Sequence, residues 1–172
     1  MKDYNTTWKT PSRRGISSKV YLPSADNKEH LDIVIGIDTS GSISDETLAN
    51  FYSHLQLIMK TFNSYTLELH CFSTQVHTDT IIKLNEMTAK HFNIRDYKVQ
   101  SFGGTEIKSS FDYVASRKDE CDIFLCFTDG FDSIDDLTYE KTPVLWCITG
   151  NDTFVSPKGV KRARVIPIDN DK

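Results

Sequence analysis

Glycine is scarce in this chain: eight of 172 residues, where average usage of about 7% would supply roughly twelve. Each glycine therefore has a fair chance of holding a position that needs one. Long apolar runs are missing too. The longest, such as Ile33 to Ile37 and Ile123 to Phe127, are a third of a membrane span or less, too short for a membrane protein, and no membrane partner is expected. The polar start (Lys2, Asp3, Asn5, Thr6, Thr7) lacks the apolar core of a signal peptide. The four cysteines, Cys71, Cys121, Cys126 and Cys147, form no C-x-x-C pair. Three lie inside apolar, strand-like runs and Cys121 at the edge of one, so they read as reduced, mostly buried side chains of a cytoplasmic protein.

What is present is a globular balance, with 38% hydrophobic and 26% charged residues and a net charge of −4. Charge divides the chain near residue 30. Residues 1–30 carry six Lys/Arg and three Asp/Glu, whereas the remainder carries 14 and 21. A basic N-terminal arm or linker, 1–30, therefore precedes one domain, 31–172. Within that domain, strand and helix patterns alternate. Leu31–Asp38 is nearly all apolar, as a central parallel strand covered on both faces should be. Helical spacing of Leu48, Phe51, Leu55, Ile58 and Phe62 predicts a helix over 45–62, with Ser44 as its N-cap. Period-two alternation predicts a hairpin over 65–73 and 76–84. A short helix near 87–92, a strand over 97–102 and a helix over 106–117 presenting Ile107, Phe111 and Val114 follow. Strands at 121–128, 144–149 and 160–167 complete the pattern, the last a charged edge with Lys161, Arg162 and Arg164. The expected fold is α/β: a Rossmann-like open sheet, mostly parallel with one antiparallel strand, with helices on both faces. Ligands of such sheets bind at the carboxyl ends of the strands.

Three predicted strand ends share one chemistry. The first strand runs into Asp38-Thr39-Ser40-Gly41-Ser42, the strand at 97–102 into Gly103-Gly104-Thr105, and the strand at 121–128 into Thr128-Asp129-Gly130. Ser40, Ser42 and Thr105 offer neutral hydroxyls; Asp38 and Asp129 offer carboxylates. That set suits a small hard cation such as Mg²⁺, which takes six oxygens and keeps several as water. Mn²⁺ or Ca²⁺ is an alternative. Hydroxyls do not neutralise the ion, so it stays electrophilic toward an outside carboxylate. Without thiol or imidazole the set argues against zinc. The same residues also suit polar turns and helix caps with no ion, Ser42 and Thr105 above all. Four of the eight glycines, Gly41, Gly103, Gly104 and Gly130, fall in these loops, and Gly36 lies two residues before Asp38.

The set Asp38-x-Ser40-x-Ser42, Thr105, Asp129 resembles the metal-ion-dependent adhesion site of von Willebrand factor A domains, over about residues 31–167. The resemblance implies Ser40 and Ser42 as direct ligands and Thr105 as a ligand in the partner-bound state. Asp38 and Asp129 would act directly or through water, and a partner's Asp or Glu would fill the open position. The chain is also similar to the short A-like domain that ends a family of bacterial and phage metallopeptidase-type proteins. Trp8…Pro11-Ser12-Arg13-Arg14, Tyr21-Leu22-Pro23, Gly103-Gly104-Thr105-Glu106 and Pro143-Val144-Leu145-Trp146 carry that similarity. In that family a zinc peptidase domain with His-Glu-x-x-His precedes the module. Here none of His30, His54, His70, His77 or His91 is followed by Glu, so any peptidase belongs to another segment or chain. The usual C-terminal helix of larger A domains has no room after the last strand, which puts adhesion-receptor allostery in doubt.

These readings point to a non-catalytic, metal-dependent module that binds a protein offering Asp or Glu. A peptidase unit or a MoxR-type AAA ATPase is the partner the resemblance suggests. Two competitors stand beside it: a Mg²⁺-dependent hydrolase or phosphotransferase with Asp38 as nucleophile, and an assembly component that leaves the site idle. Against the enzyme, the residue two after Asp38 is Ser40 rather than a second Asp, and no Walker-type Gly-x-x-x-x-Gly-Lys is present. Asp129, Asp132, Asp135 and Asp136 read as a solvated acidic loop. His70 and His77, on the two hairpin strands, are too few for a transition-metal site. Lys158, Lys161, Arg162 and Arg164 read as edge protection in an acidic chain rather than a nucleic-acid surface.

Overall fold

The computed structural model describes residues 5–11, 23–26, 30–41, 43–61, 64–92, 97 and 103–168. The chain divides into two units, Met1–His30 and Leu31–Lys172. In the first, β1 (Asn5–Pro11) pairs antiparallel with β2 (Pro23–Asp26), with Asn5 opposite Asp26 and Thr7 opposite Ser24. Neither strand stands out in the sequence, where the leader shows little periodicity.

The second unit is built on a six-stranded sheet. Its strands are β3 (Leu31–Asp38), β4 (Tyr65–Phe72), β5 (Val76–Asn85), β6 (Ile123–Thr128), β8 (Val144–Ile148) and β10 (Ala163–Pro167). The spatial order is β10-β8-β6-β3-β4-β5, and every pair is parallel except β4 with β5. β3 lies between β4 and β6, and helices cover both faces, which explains its unbroken apolar run. Ile33, Ile35 and Ile37 face α1 (Asp45–Thr61) through Phe51 and Leu55. Val34, with Phe124, Cys126 and Trp146, faces α2 (Ile107–Ser116) through Ile107, Phe111 and Val114. Ser44 caps α1 as expected, its Oγ accepting the Thr47 N–H at 3.2 Å. The α2 cap comes from elsewhere: Asp132 Oδ2 accepts the Ile107 N–H at 2.8 Å.

Three expectations need adjusting. The helix near 87–92 is a single 3₁₀ turn, Thr88–Lys90. Of the strand expected over 97–102, Tyr97 is not in a strand and 98–102 lie outside the described residues. The strand expected over 160–167 is two elements: β9 (Gly159–Val160) pairs with β7 (Thr138–Tyr139), and β10 then joins the main sheet at its edge. Arg162 breaks the run because its φ is 53°. Its Nη2 donates to the carbonyls of Glu140 and Lys141 at 3.1 and 3.0 Å. Of the three charges assigned to the edge, only Arg164 lies on β10.

Gly36 serves helix packing rather than the strand-end loops. A Cβ there would lie 2.6 Å from Ser110 Oγ, 3.1 Å from His70 Nε2 and 3.3 Å from a Phe124 ring carbon. Its absence lets Ser110 of α2 hydrogen-bond His70 of β4 at 2.7 Å across the buried interface. Gly36→Ala is expected to cost about 1–3 kcal/mol by overpacking. The loss should shrink in a Ser110→Ala background, since Ser110 holds the nearest atom. Urea midpoints of the two single variants and the double variant test this, and strictly additive losses would refute it.

Candidate metal site

The parallel register fixes which strand ends meet. Asp38 pairs with Phe72 on one side, and Ile37 pairs with Phe127 on the other. Asp38, Phe72 and Thr128 therefore end their strands together. Asp38 is 1% exposed and Asp129 6%, and Ser40 is buried beside them in the chain. Both Asp38 oxygens are held. Oδ1 accepts the Ser40 N–H at 2.9 Å and Oδ2 accepts the Thr128 hydroxyl at 2.7 Å. Thr128 Oγ1 in turn accepts the Gly130 N–H at 3.0 Å, and Asp129 Oδ1 accepts the Phe131 N–H at 3.2 Å.

The middle loop is tied to the first from two directions. Gly41 N–H donates to the Gly103 carbonyl at 3.1 Å. The end of β4 then grips both loops: Phe72 O accepts the Thr39 N–H at 2.9 Å, and Ser73 O accepts the Glu106 N–H at 2.8 Å. Thr105, half-buried between Gly103 and Glu106, is thereby brought to the same sheet end as Asp38 and Asp129. Ser42 lies outside the described residues. Of the five candidates, four are described and belong to loops gathered at this end.

Burial pushes the Asp38 carboxyl above the usual carboxylate range. The Thr128 and Ser40 hydrogen bonds pull it back down, and the negative charge of Asp129 pushes it up again. Two buried carboxylates that feel each other are a place where a cation relieves a cost. The donor chemistry agrees with a hard ion: carboxylate and hydroxyl oxygen only. Among the described residues no three His, Cys, Asp or Glu side chains gather as a metal-holding group. A site here must therefore draw on the hydroxyls as well as the two carboxylates.

Thr128 and the Ser73–His77 pair carry roles that their residue types did not single out. Thr128 donates a hydrogen bond to Asp38 Oδ2; its sequence signal was a hydroxyl next to Asp129 at a strand end. Ser73 Oγ and His77 Nε2 lie 2.9 Å apart and stiffen the turn that holds Glu106. His70, by contrast, is a core residue. Asp129 and Asp132 both depart from the solvated acidic loop: Asp129 is buried, and Asp132, besides capping α2, accepts the Ser133 N–H at 2.7 Å. Asp135 and Asp136 are exposed as expected.

The sequence profile described as "VWA-like domain (DUF2201)" matches residues 33–167. Solved structures share the fold at low identity. BatB of Bacteroides thetaiotaomicron is 14% identical with a TM-score of 0.55, over 70% of this chain and 67% of its own. Proximal thread matrix protein 1 of the mussel byssus, solved with a zinc-occupied MIDAS motif, is 16% identical with a TM-score of 0.57. That match covers 83% of this chain and 42% of the mussel protein. The SpRpn10 VWA domain is 10% identical with a TM-score of 0.53, over 81% of this chain and 89% of its own. No curated protein sequence matches the chain significantly.

Proposed function

This chain belongs to the VWA-like domain family, and on that premise we propose that it is a non-catalytic, divalent-metal-dependent protein-binding module. The observation that carries the proposal is the Gly41–Gly103 hydrogen bond, which draws the Thr105 loop to the end of the sheet where Asp38 and Asp129 are buried. Ser40, Ser42 and Thr105 would hold Mg²⁺, or Mn²⁺ or Ca²⁺, by their hydroxyls. Asp38 and Asp129 would act directly or through water; each Asp38 oxygen already accepts one protein hydrogen bond, which suits the water-mediated role. A bound ion supplies an electrophilic position for a carboxylate from another protein. The mussel protein, similar in fold, holds zinc in its MIDAS motif; that supports a divalent-metal site here and weighs against excluding zinc on donor type.

VWA-like domains are commonly non-catalytic. A nucleophilic Asp38 would need an open carboxylate, whereas this one is 1% exposed with both oxygens engaged. The acidic residue would come from a peptidase unit, as the resemblance to metallopeptidase-type proteins suggests, or from a MoxR-type ATPase, as the resemblance to bacterial A domains with metal sites suggests. Four free, buried cysteines support a reducing compartment, the cytoplasm. Among the described residues no helix is long and apolar enough to cross a membrane.

Mg²⁺ or Mn²⁺ at 100 times Kd is expected to stabilise the folded chain by about 2.7 kcal/mol. For a domain of this size that is a rise of about 5–10 °C in Tm. Asp38→Ala should abolish the rise. A wild-type melting curve that millimolar Mg²⁺ and Mn²⁺ leave unchanged would refute the metal site and favour an idle scaffold.

A further inference from the structure

We propose that Thr128 is a positioning residue that makes this sheet end select a small divalent cation over Ca²⁺: its hydroxyl occupies one Asp38 oxygen and so opposes a two-oxygen grip by that carboxylate. The inference rests on the metal-dependent reading above and adds which cation the site takes and which side chain decides it.

The direction of the hydrogen bonds around Thr128 is forced. The Gly130 N–H can only donate, so Thr128 Oγ1 accepts it, at 3.0 Å. A hydroxyl carries a single hydrogen, and Asp38 Oδ2, 2.7 Å away, receives it. Thr128 and Asp38 are each 1% exposed, so bulk water does not compete for that bond. The strand ladder sets the hydroxyl in place: Thr128 pairs with Ile148, and its carbonyl accepts the Thr149 N–H at 3.2 Å.

The other carboxylate oxygens are constrained in the same way. Asp38 Oδ1 accepts the Ser40 N–H at 2.9 Å, and Asp129 Oδ1 accepts the Phe131 N–H at 3.2 Å. Neither carboxylate thus has both oxygens clear of the chain's own donors. Ser40, Ser42 and Thr105 add one hydroxyl oxygen each. The set offers single oxygens and no ready pair.

Single oxygens suit a small ion. Mg²⁺ takes about six in a tight octahedron and fills several places with water, whereas Ca²⁺ takes about six to eight at longer distances, often with a bidentate carboxylate. A bidentate grip by Asp38 would have to share or break the Thr128 bond. Of the two bonds on Asp38 described above, the Ser40 one comes from the backbone and survives any side-chain substitution. The Thr128 bond depends on one hydroxyl, so cation choice at this carboxylate depends on it too.

Melting curves of the full chain, stripped with EDTA and titrated with MnCl₂, MgCl₂ or CaCl₂, give an apparent Kd for each ion from the rise in Tm. Wild type is expected to bind Mn²⁺ at least about tenfold more tightly than Ca²⁺. Thr128→Val, matched in shape but without the hydroxyl, should weaken Mn²⁺ binding and narrow the Ca²⁺-to-Mn²⁺ Kd ratio about tenfold, on the scale of one hydrogen bond to a charged group. Thr128→Ser, which keeps the hydroxyl, should hold the wild-type ratio. Equal weakening of all three ions in Thr128→Val overturns the proposal, because a merely structural role moves them together. A Thr128→Ser ratio like that of Thr128→Val overturns it as well. So does wild type binding Ca²⁺ as tightly as Mn²⁺, an outcome that needs no variant to fold. No rise in the wild-type Tm with any of the three ions brings down the metal-site reading instead, so the two failures are distinguishable.

Discussion

Arg117→Ala is expected to cost about 3 kcal/mol of folding stability, read as a lower urea midpoint at neutral pH. The reason lies on strand β4, where Glu68 is 2% exposed. Arg117 Nε lies 3.1 Å from Glu68 Oε1 and Nη2 lies 3.3 Å from Oε2, a two-point clasp of the carboxylate. Tyr113 donates to Oε1 at 2.8 Å and Lys83 reaches Oε2 at 3.0 Å. Burial by itself would raise the Glu68 pKa, but the Lys83 and Tyr113 hydrogen bonds and the Arg117 charge outweigh it and hold the carboxyl below its usual range. Removing one partner of a buried pair leaves a charge short of compensation, which costs about 3–5 kcal/mol. The lower end applies because Lys83 and Tyr113 remain. A Glu68→Leu/Arg117→Met double variant should recover most of the loss, since an apolar replacement of the whole pair strands no charge. A midpoint for Arg117→Ala within error of wild type would show that Tyr113 and Lys83, the latter 67% exposed at its side chain, suffice without it.

Acid is expected to weaken the fold from about pH 6.5 downward, earlier than carboxylates alone would allow. His70 is fully buried between the sheet and α2, its Nε2 bound to Ser110 and its Nδ1 without a hydrogen-bond partner. Burial lowers its pKa from 6.5 to about 3; the Glu68 charge opposes this and the Arg117 charge adds to it. Between those two values the unfolded chain binds a proton at His70 that the folded chain refuses. Stability therefore falls with falling pH, by about 1.4 kcal/mol per unit from this group. Glu68 acts in a lower window that overlaps the acid end of the first. Its lowered folded pKa makes its contribution complete above 4.5 and lost at lower pH. His70→Gln should remove the slope between pH 6.5 and 5 and leave the Glu68 window in place. Parallel stability-pH curves for wild type and His70→Gln would contradict this account.

Much of the fold was legible in the chain because its signals are local. The run from Leu31 to Asp38 is apolar without a break because both faces of β3 are covered, and a covered strand has no other way to be written. Phe51, Leu55, Phe111 and Val114 recur at the period of a helix packed on a sheet, and all four are buried. Local signals failed where the cause was distant. The break at Arg162 depends on carbonyls at 140 and 141, some twenty residues upstream. The cap of α2 comes from Asp132, beyond β6, so inspection of residues near 106 could not find it.

The candidate site divides along the same line. Residue type and position at a strand end single out Asp38, Ser40, Thr105 and Asp129, because carboxyl ends of parallel strands are where chain direction reverses and side chains converge. By itself the sequence determined the order of the six main-sheet strands and the two helices, the burial of their apolar faces and the oxygen donors offered by three loops; each depends on neighbours within a turn or a pleat. The tertiary structure alone decided which loops touch, through the Gly41–Gly103 and Ser73–Glu106 bonds, and that Thr128 holds Asp38 across 90 residues. It also decided that scarce Gly36 serves the His70–Ser110 contact rather than the site. Such pairings follow from strand register, and register is settled only when whole faces pack against each other.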